Sequence, residues 1–76
     1  MIITFYGSLG ERLGRSRELA VPAGVRTVGD LRGFLGDEAV LDAARVRVFV
    51  DDVAAGEAHG VCGAGRIDFL PPLSGG

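Results

Sequence analysis

Few side chains in this sequence could do chemistry on their own. His59 is the only histidine and sits in the loop-like stretch Gly56-Glu57-Ala58-His59-Gly60. A general base needs a second group to orient it, and no placed cysteine or carboxylate accompanies this ring. It reads as a surface residue. Cys62 is the only cysteine, which excludes an internal disulfide framework and a zinc set. A reactive thiol needs a neighbouring cation or helix N-terminus to lower its pKa. Cys62 therefore reads as a packed or incidental residue. The stretch Gly60–Gly65, GVCGAG, lacks the lysine and the strand-to-helix crossover of a phosphate loop. Asp51 and Asp52 would point opposite ways in a strand, so turn chemistry accounts for them better than a metal does.

What remains is the chain end, Phe69-Leu70-Pro71-Pro72-Leu73-Ser74-Gly75-Gly76. Pro71 and Pro72 fix φ and cannot donate to a sheet, so the last strand must stop there. Pro72 also biases Pro71 towards an extended conformation. Six residues leaving a domain in that form reach on the order of 20 Å. Leu73 offers one apolar anchor. Gly75 and Gly76 carry no side chain, so a partner can close a narrow channel around them and reach the terminal carboxylate. The expected organisation is a folded domain over residues 1–70 and an extended tail over 71–76.

The elements that must hold this tail can be read from the patterns. MIITFYG alternates as a strand, with Met1, Ile3 and Phe5 on one side. In SLGERLG, Ser8 and Glu11 have capping-box spacing, Leu9 and Leu13 share a face, and Gly14 ends the turn. RELAVPAG predicts a second strand, closed by Pro22 and Gly24 and paired antiparallel with the first. TVGDLRGFLG is the main helix: Thr27 caps it, Asp30 suits its positive end and Gly36 stops it. Val28, Leu31, Phe34 and Leu35 are its expected buried stripe. Gly29 and Gly33 each cost about 1 kcal/mol in a helix interior, so the helix must depend on packing. DEAVLDAA could add a helical turn or two. RVRVFVDD is the strongest strand, with Val46, Val48 and Val50 inward and Phe49 outward beside Arg45 and Arg47. RIDFL is the last, with Ile67 and Phe69 inward and Leu70 outward. This order predicts an α+β domain.

Composition bounds the reading. Seventy-six residues make one small domain that buries roughly 60 % of its unfolded surface. All eight basic residues are arginine and the net charge is −2. The missing lysines fit an Arg-rich coding bias, and also a chain that handles an activated acyl group without amines of its own. Scattered arginines on an acidic chain, with no aromatic platform, argue against nucleic acid. No signal peptide or membrane-length apolar run is seen, and a cytoplasmic location is expected.

With these motifs the chain resembles molybdopterin synthase small subunits. They belong to a group of ubiquitin-like sulfur carriers that also includes the thiamine-pathway carrier. IITFYGSLGERLG, TVGDLRGFLG and RVRVFVDD match its elements, and FLPPLSGG fits its terminal motif at every place. Thiamine-type carriers usually lack the double proline. Departures lie in turns: Asp51-Asp52 stands where the family often has Asn-Gly, and GVCGAG lacks an acidic residue near its last glycine.

The resemblance implies a β-grasp fold, a small mixed sheet with one main helix packed across one face. It also implies a mechanism. A ubiquitin-activating-type adenylating enzyme would spend ATP to adenylate the Gly76 carboxylate. A sulfur donor system would then replace AMP and leave a thiocarboxylate. Its sulfur would go to a cyclic pyranopterin precursor in the synthase large subunit, in a heterotetramer. The chain itself would bind no metal or cofactor. Leu73, Leu70 and Phe49 would supply apolar docking, with Pro71, Pro72, Ser74 and Gly75 threading behind Gly76 and with Arg45 and Arg47 at the rim. Two alternatives share the tail: a carrier for thiamine, cysteine or a sulfur-containing natural product, or a ubiquitin-like protein modifier.

Overall fold

The computed structural model describes residues 1–36, 41–42 and 45–72. Along the chain run β1 (Ile2–Phe5), α1 (Ser8–Leu13), β2 (Ser16–Glu18), α2 (Val28–Leu35), β3 (Arg47–Val50), β4 (Val53–Ala55) and β5 (Arg66–Leu70). The strands form one sheet in the order β2-β1-β5-β3-β4. The first and last strands lie parallel at its middle, with Ile3 opposite Ile67 and Phe5 opposite Phe69. β3 pairs antiparallel with the other side of β5, setting Val48 against Phe69 and Val50 against Ile67. β2 and β4 are short antiparallel edges.

Strand periodicity sends Ile3, Phe5, Val48, Val50, Ile67 and Phe69 to one face, and all six are buried. Val28 and Leu31 of α2 join them, with Leu9, Leu41, Val46 and Val61 completing the core. The rings of Phe5 and Phe69 stack, with centroids 5.4 Å apart. This is the expected mixed sheet with one main helix across a face. No helix among the described residues is long and apolar enough to cross a membrane.

The start of α2 follows from its first residues. Thr27 Oγ1 accepts from the Asp30 N–H at 3.1 Å, and Asp30 Oδ2 accepts from the Thr27 and Arg26 N–H groups at 3.2 and 3.1 Å. These bonds, the one from Arg26 foremost, hold the Asp30 carboxyl below its ordinary value of 3.8. The loop after β4 takes the next donors: the Val28 N–H reaches the His59 carbonyl and the Gly29 N–H that of Glu57, both at 3.0 Å. A Cβ at Gly29 would stand 2.9 Å from Glu57 Oε2. A side chain at 29 would have to displace the Glu57 carboxylate that pairs with Arg32.

Three expectations need correction. Phe34 is not in the buried stripe: it is 45 % exposed, whereas Arg32 is 7 % exposed. Positions 28, 31, 32 and 35 close the inward face of a 3.6-residue helix, and two contacts let an arginine occupy one of them. Its Nη2 pairs with Glu57 Oε1 at 2.5 Å, and its guanidinium lies 6.0 Å from the centre of the Phe69 ring. Among the described residues Arg32 Nε and Nη1 have no hydrogen-bond partner, and the ring face offers the cation an electrostatic contact. Second, α1 has no Ser8–Glu11 capping box. Its N-cap is Gly7, at φ 54° and ψ −132°, with no side-chain cap bond. The chain must reverse sharply out of β1, a conformation that glycine readily takes. Third, the second strand ends at Glu18, well before Pro22. The Leu19 N–H still reaches the Met1 carbonyl at 2.9 Å, but the register of β1 with β2 ends at Ile2 opposite Glu18.

The turn at Asp51-Asp52 is as expected. Both residues have positive φ, 45° and 68°, as a two-residue hairpin joining β3 to β4 requires. Asp51 Oδ1 also accepts from the Gly65 and Arg66 N–H groups at 3.1 and 3.0 Å. The helical turn expected over DEAVLDAA falls largely outside the described residues.

Candidate functional site

The tail leaves from the most enclosed strand of the sheet. The Phe69 carbonyl accepts from the Tyr6 N–H at 3.0 Å, the last bond that ties β5 to β1. Pro71 and Pro72 then end the strand, since neither can donate. Pro71 is half-buried and Pro72 exposed. A Cβ on Gly7 would come 3.1 Å from the Pro71 Cγ, so the glycine that starts α1 also seats the first proline. Leu73, Ser74, Gly75 and Gly76 lie outside the described residues.

Beside this root stands a groove of about 370 Å³ that includes Leu9, Arg12, Arg45, Pro71 and Pro72 in its lining. Arg45 thus meets the tail at its base. Arg47 and Leu70 are paired across β3 and β5 on the face of the sheet away from α2. Phe49 lies on that same open face, half-buried, opposite Asp68 on one side and Ala54 on the other. The structure therefore groups Leu70, Phe49 and Arg47 as a surface next to the tail, and places Arg45 round the corner from them.

Sequence reasoning missed the polar cluster at the middle of that face. The Asp68 side chain is 7 % exposed although it points away from the core, because Arg66 folds over it. Arg66 Nε donates to Asp68 Oδ1 at 3.0 Å and Nη2 to the Tyr6 hydroxyl at 2.9 Å. These bonds, led by the one to Asp68, raise the Arg66 pKa above its already high ordinary value. The signal available was an aspartate inside an otherwise apolar strand, RIDFL. Ile2 and Tyr6, 43 % and 38 % exposed, extend the same face.

The thiol and the imidazole are elsewhere. Cys62 and His59 are exposed in the loop that leads into the start of β5. The tail leaves the other end of that strand, about 13 Å away at 3.3 Å per residue. Among the described residues no group of three His, Cys, Asp or Glu side chains could hold a metal.

The ThiS family profile matches residues 3–76, from β1 to the last glycine. The chain belongs to the ThiS family. It is thereby one of the ubiquitin-like sulfur carriers, proteins that generally work with an adenylating enzyme and a catalytic partner. No curated protein sequence matches this ThiS-family chain. Among solved structures it is similar to SAMP1 from Haloferax volcanii, with a TM-score of 0.71 and 24 % identity. That alignment covers 99 % of this chain and 97 % of the other. The likeness is one of fold: the ubiquitin-like β-grasp.

Proposed function

We propose that this ThiS-family chain carries sulfur as a thiocarboxylate on Gly76 and delivers it to molybdopterin synthesis. The observation that carries the reading is the terminal octet, Phe69 to Gly76, standing at the end of a family match that runs through it. A carboxylate is a poor acyl donor, so an adenylating enzyme joins it to AMP from ATP and releases pyrophosphate. A sulfur donor then displaces AMP, exchanging one oxygen of the carboxylate for sulfur. The product is an anionic nucleophile at the tip of a thin arm. Glycine suits that place because a Cβ would crowd both the adenylate and the incoming sulfur. The domain supplies binding and direction, and the chemistry belongs to the partners.

The double proline, Pro71-Pro72, favours the molybdopterin branch within this reading. There the sulfur acceptor is a cyclic pyranopterin precursor held by a large subunit, with two copies of each chain in the complex. Leu70 and Phe49 provide apolar contact, Arg47 and Arg45 the rim, and Leu73 the anchor within the channel.

The test is intact mass. Incubated with its adenylating enzyme, ATP and a sulfur donor, the chain gains about 16 mass units as one oxygen is replaced. A chain lacking Gly76 gains nothing. Conversion of the precursor by the loaded chain and the large subunit supports the molybdopterin branch. Transfer only to a thiazole-forming enzyme moves the chain to the thiamine branch, and heavier covalent conjugates in cell extracts in place of the small gain identify a modifier.

A further inference from the structure

Eight arginines are present, and their pairing is uneven. Arg32 and Arg66 are the two in ion pairs among the described residues. Arg17 donates to the Leu13 carbonyl at 2.7 Å and lies over the Phe5 ring. Arg12, Arg15, Arg26, Arg45 and Arg47 are exposed, and none of them is in an ion pair among the described residues. All of these but Arg26 lie towards the root of the tail. Arg12 and Arg45 line the groove that also holds Pro71 and Pro72, Arg47 is opposite Leu70, and Arg15 lines a second cleft with Gly7 and Gly10. Among the described residues, Glu11 and Asp42 are the acidic side chains that line those two clefts.

We infer that this arginine collar at the tail's root is a docking surface for an acidic rim on the adenylating enzyme. The inference rests on the sulfur-carrier reading above. In that reading the tail is electrically polar along its length: cationic at the root, anionic at the Gly76 carboxylate. Four residues separate Pro72 from the tip, a reach of at most about 14 Å. An enzyme that takes such an arm needs a cationic floor for the carboxylate and an acidic rim for the collar, spaced by that reach. A uniformly basic entrance would attract the tip and repel the root. The alternation sets both the direction and the depth of insertion, and unpaired surface charges of this kind act chiefly on the rate of encounter.

The experiment measures association of the chain with its adenylating enzyme at about 50 mM and about 500 mM salt. The variants are Arg12→Glu/Arg45→Glu and its neutral counterpart Arg12→Gln/Arg45→Gln, with Arg26→Glu, at the opposite end of the domain, as the control. The collar predicts a fall in kon of about tenfold or more for the reversed pair at low salt, a smaller fall for the neutral pair and none for Arg26→Glu. The gap should close at high salt, where the screening length shrinks to a few ångströms. Thermal melting checks that each variant is folded, and the neutral pair carries the test if the reversed pair is not. An unchanged kon at low salt, a rise on reversal, or a fall indifferent to salt overturns the collar alone, provided the wild-type chain gains sulfur. A wild-type chain that never gains sulfur overturns the carrier reading and the collar with it.

Discussion

Along β1, β3 and β5, alternate residues of the same strands meet opposite surroundings. On the side of α2, Ile3, Phe5, Val48, Val50, Ile67 and Phe69 are sealed against one another. On the other side lie Thr4, Phe49, Asp68 and Leu70, where the Arg66 side chain folds over Asp68 towards Tyr6. The closed face holds stability in contacts shared by the whole core. The open face is held by local polar bonds, Arg66 to Asp68 and to Tyr6. Side chains there can be changed without emptying the core. A small domain can be rigid and still offer a surface to partners because these two tasks alternate residue by residue.

Phe69→Ala should break the comparison most severely. Truncating a buried phenylalanine costs about 3–5 kcal/mol, comparable with the whole net stability of a domain this small. It also removes the ring beneath Arg32. Urea unfolding followed by circular dichroism should show the variant largely unfolded in buffer. Deleting Gly76 should do the reverse, with sulfur transfer falling to background while the melting temperature stays within a degree or so of wild type.

Phe49→Ala probes the open face. Partner affinity should fall about tenfold or more, as for an aromatic at the centre of an interface, for a stability loss of about 1–2 kcal/mol. Binding and urea titrations on one sample separate the two. Phe49→Glu would confuse them, because it would set a second carboxylate opposite Asp68. A folded Phe49→Ala that binds normally would mean that this face is not the docking surface.

The smallest effect lies outside both faces. The Asp30 carboxylate is favoured in the folded chain, so its contribution is present above its ordinary value of 3.8 and lost as pH falls through the lower folded value. Asp30→Asn should therefore lower the urea midpoint slightly near neutral pH. Below the folded value the difference from wild type should shrink towards nothing. A difference that persists in acid would place the cap's strength in geometry alone.

What could be read from the sequence was what depends on neighbours in the chain. Thr27 and Asp30 announce the start of α2 because a capping box closes within four residues, and the valines of β3 alternate for reasons internal to the strand. The terminal octet reads as a motif for the same reason: it is contiguous, and the family match runs through it. Arg32 was not, because its burial depends on Glu57, 25 positions away. Phe34 lost its expected place to that contact. The Tyr6–Arg66 bond spans 60 positions, and no local pattern announces it. The Gly7 turn was hidden by Ser8, whose spacing to Glu11 imitates a cap that the reversal out of β1 does not need.

The side-by-side alignment of β1 and β5 has a mechanical consequence. Tension on the tail runs along β5, parallel to the strand, so the ladders to β1 and β3 are loaded in shear and their hydrogen bonds share the load. An edge strand pulled from its end could instead unzip one bond at a time. An enzyme can thus tug on the tail, or release it, while the body stays intact. Single-molecule stretching between the two chain ends should show one high-force rupture, with no stepwise peeling.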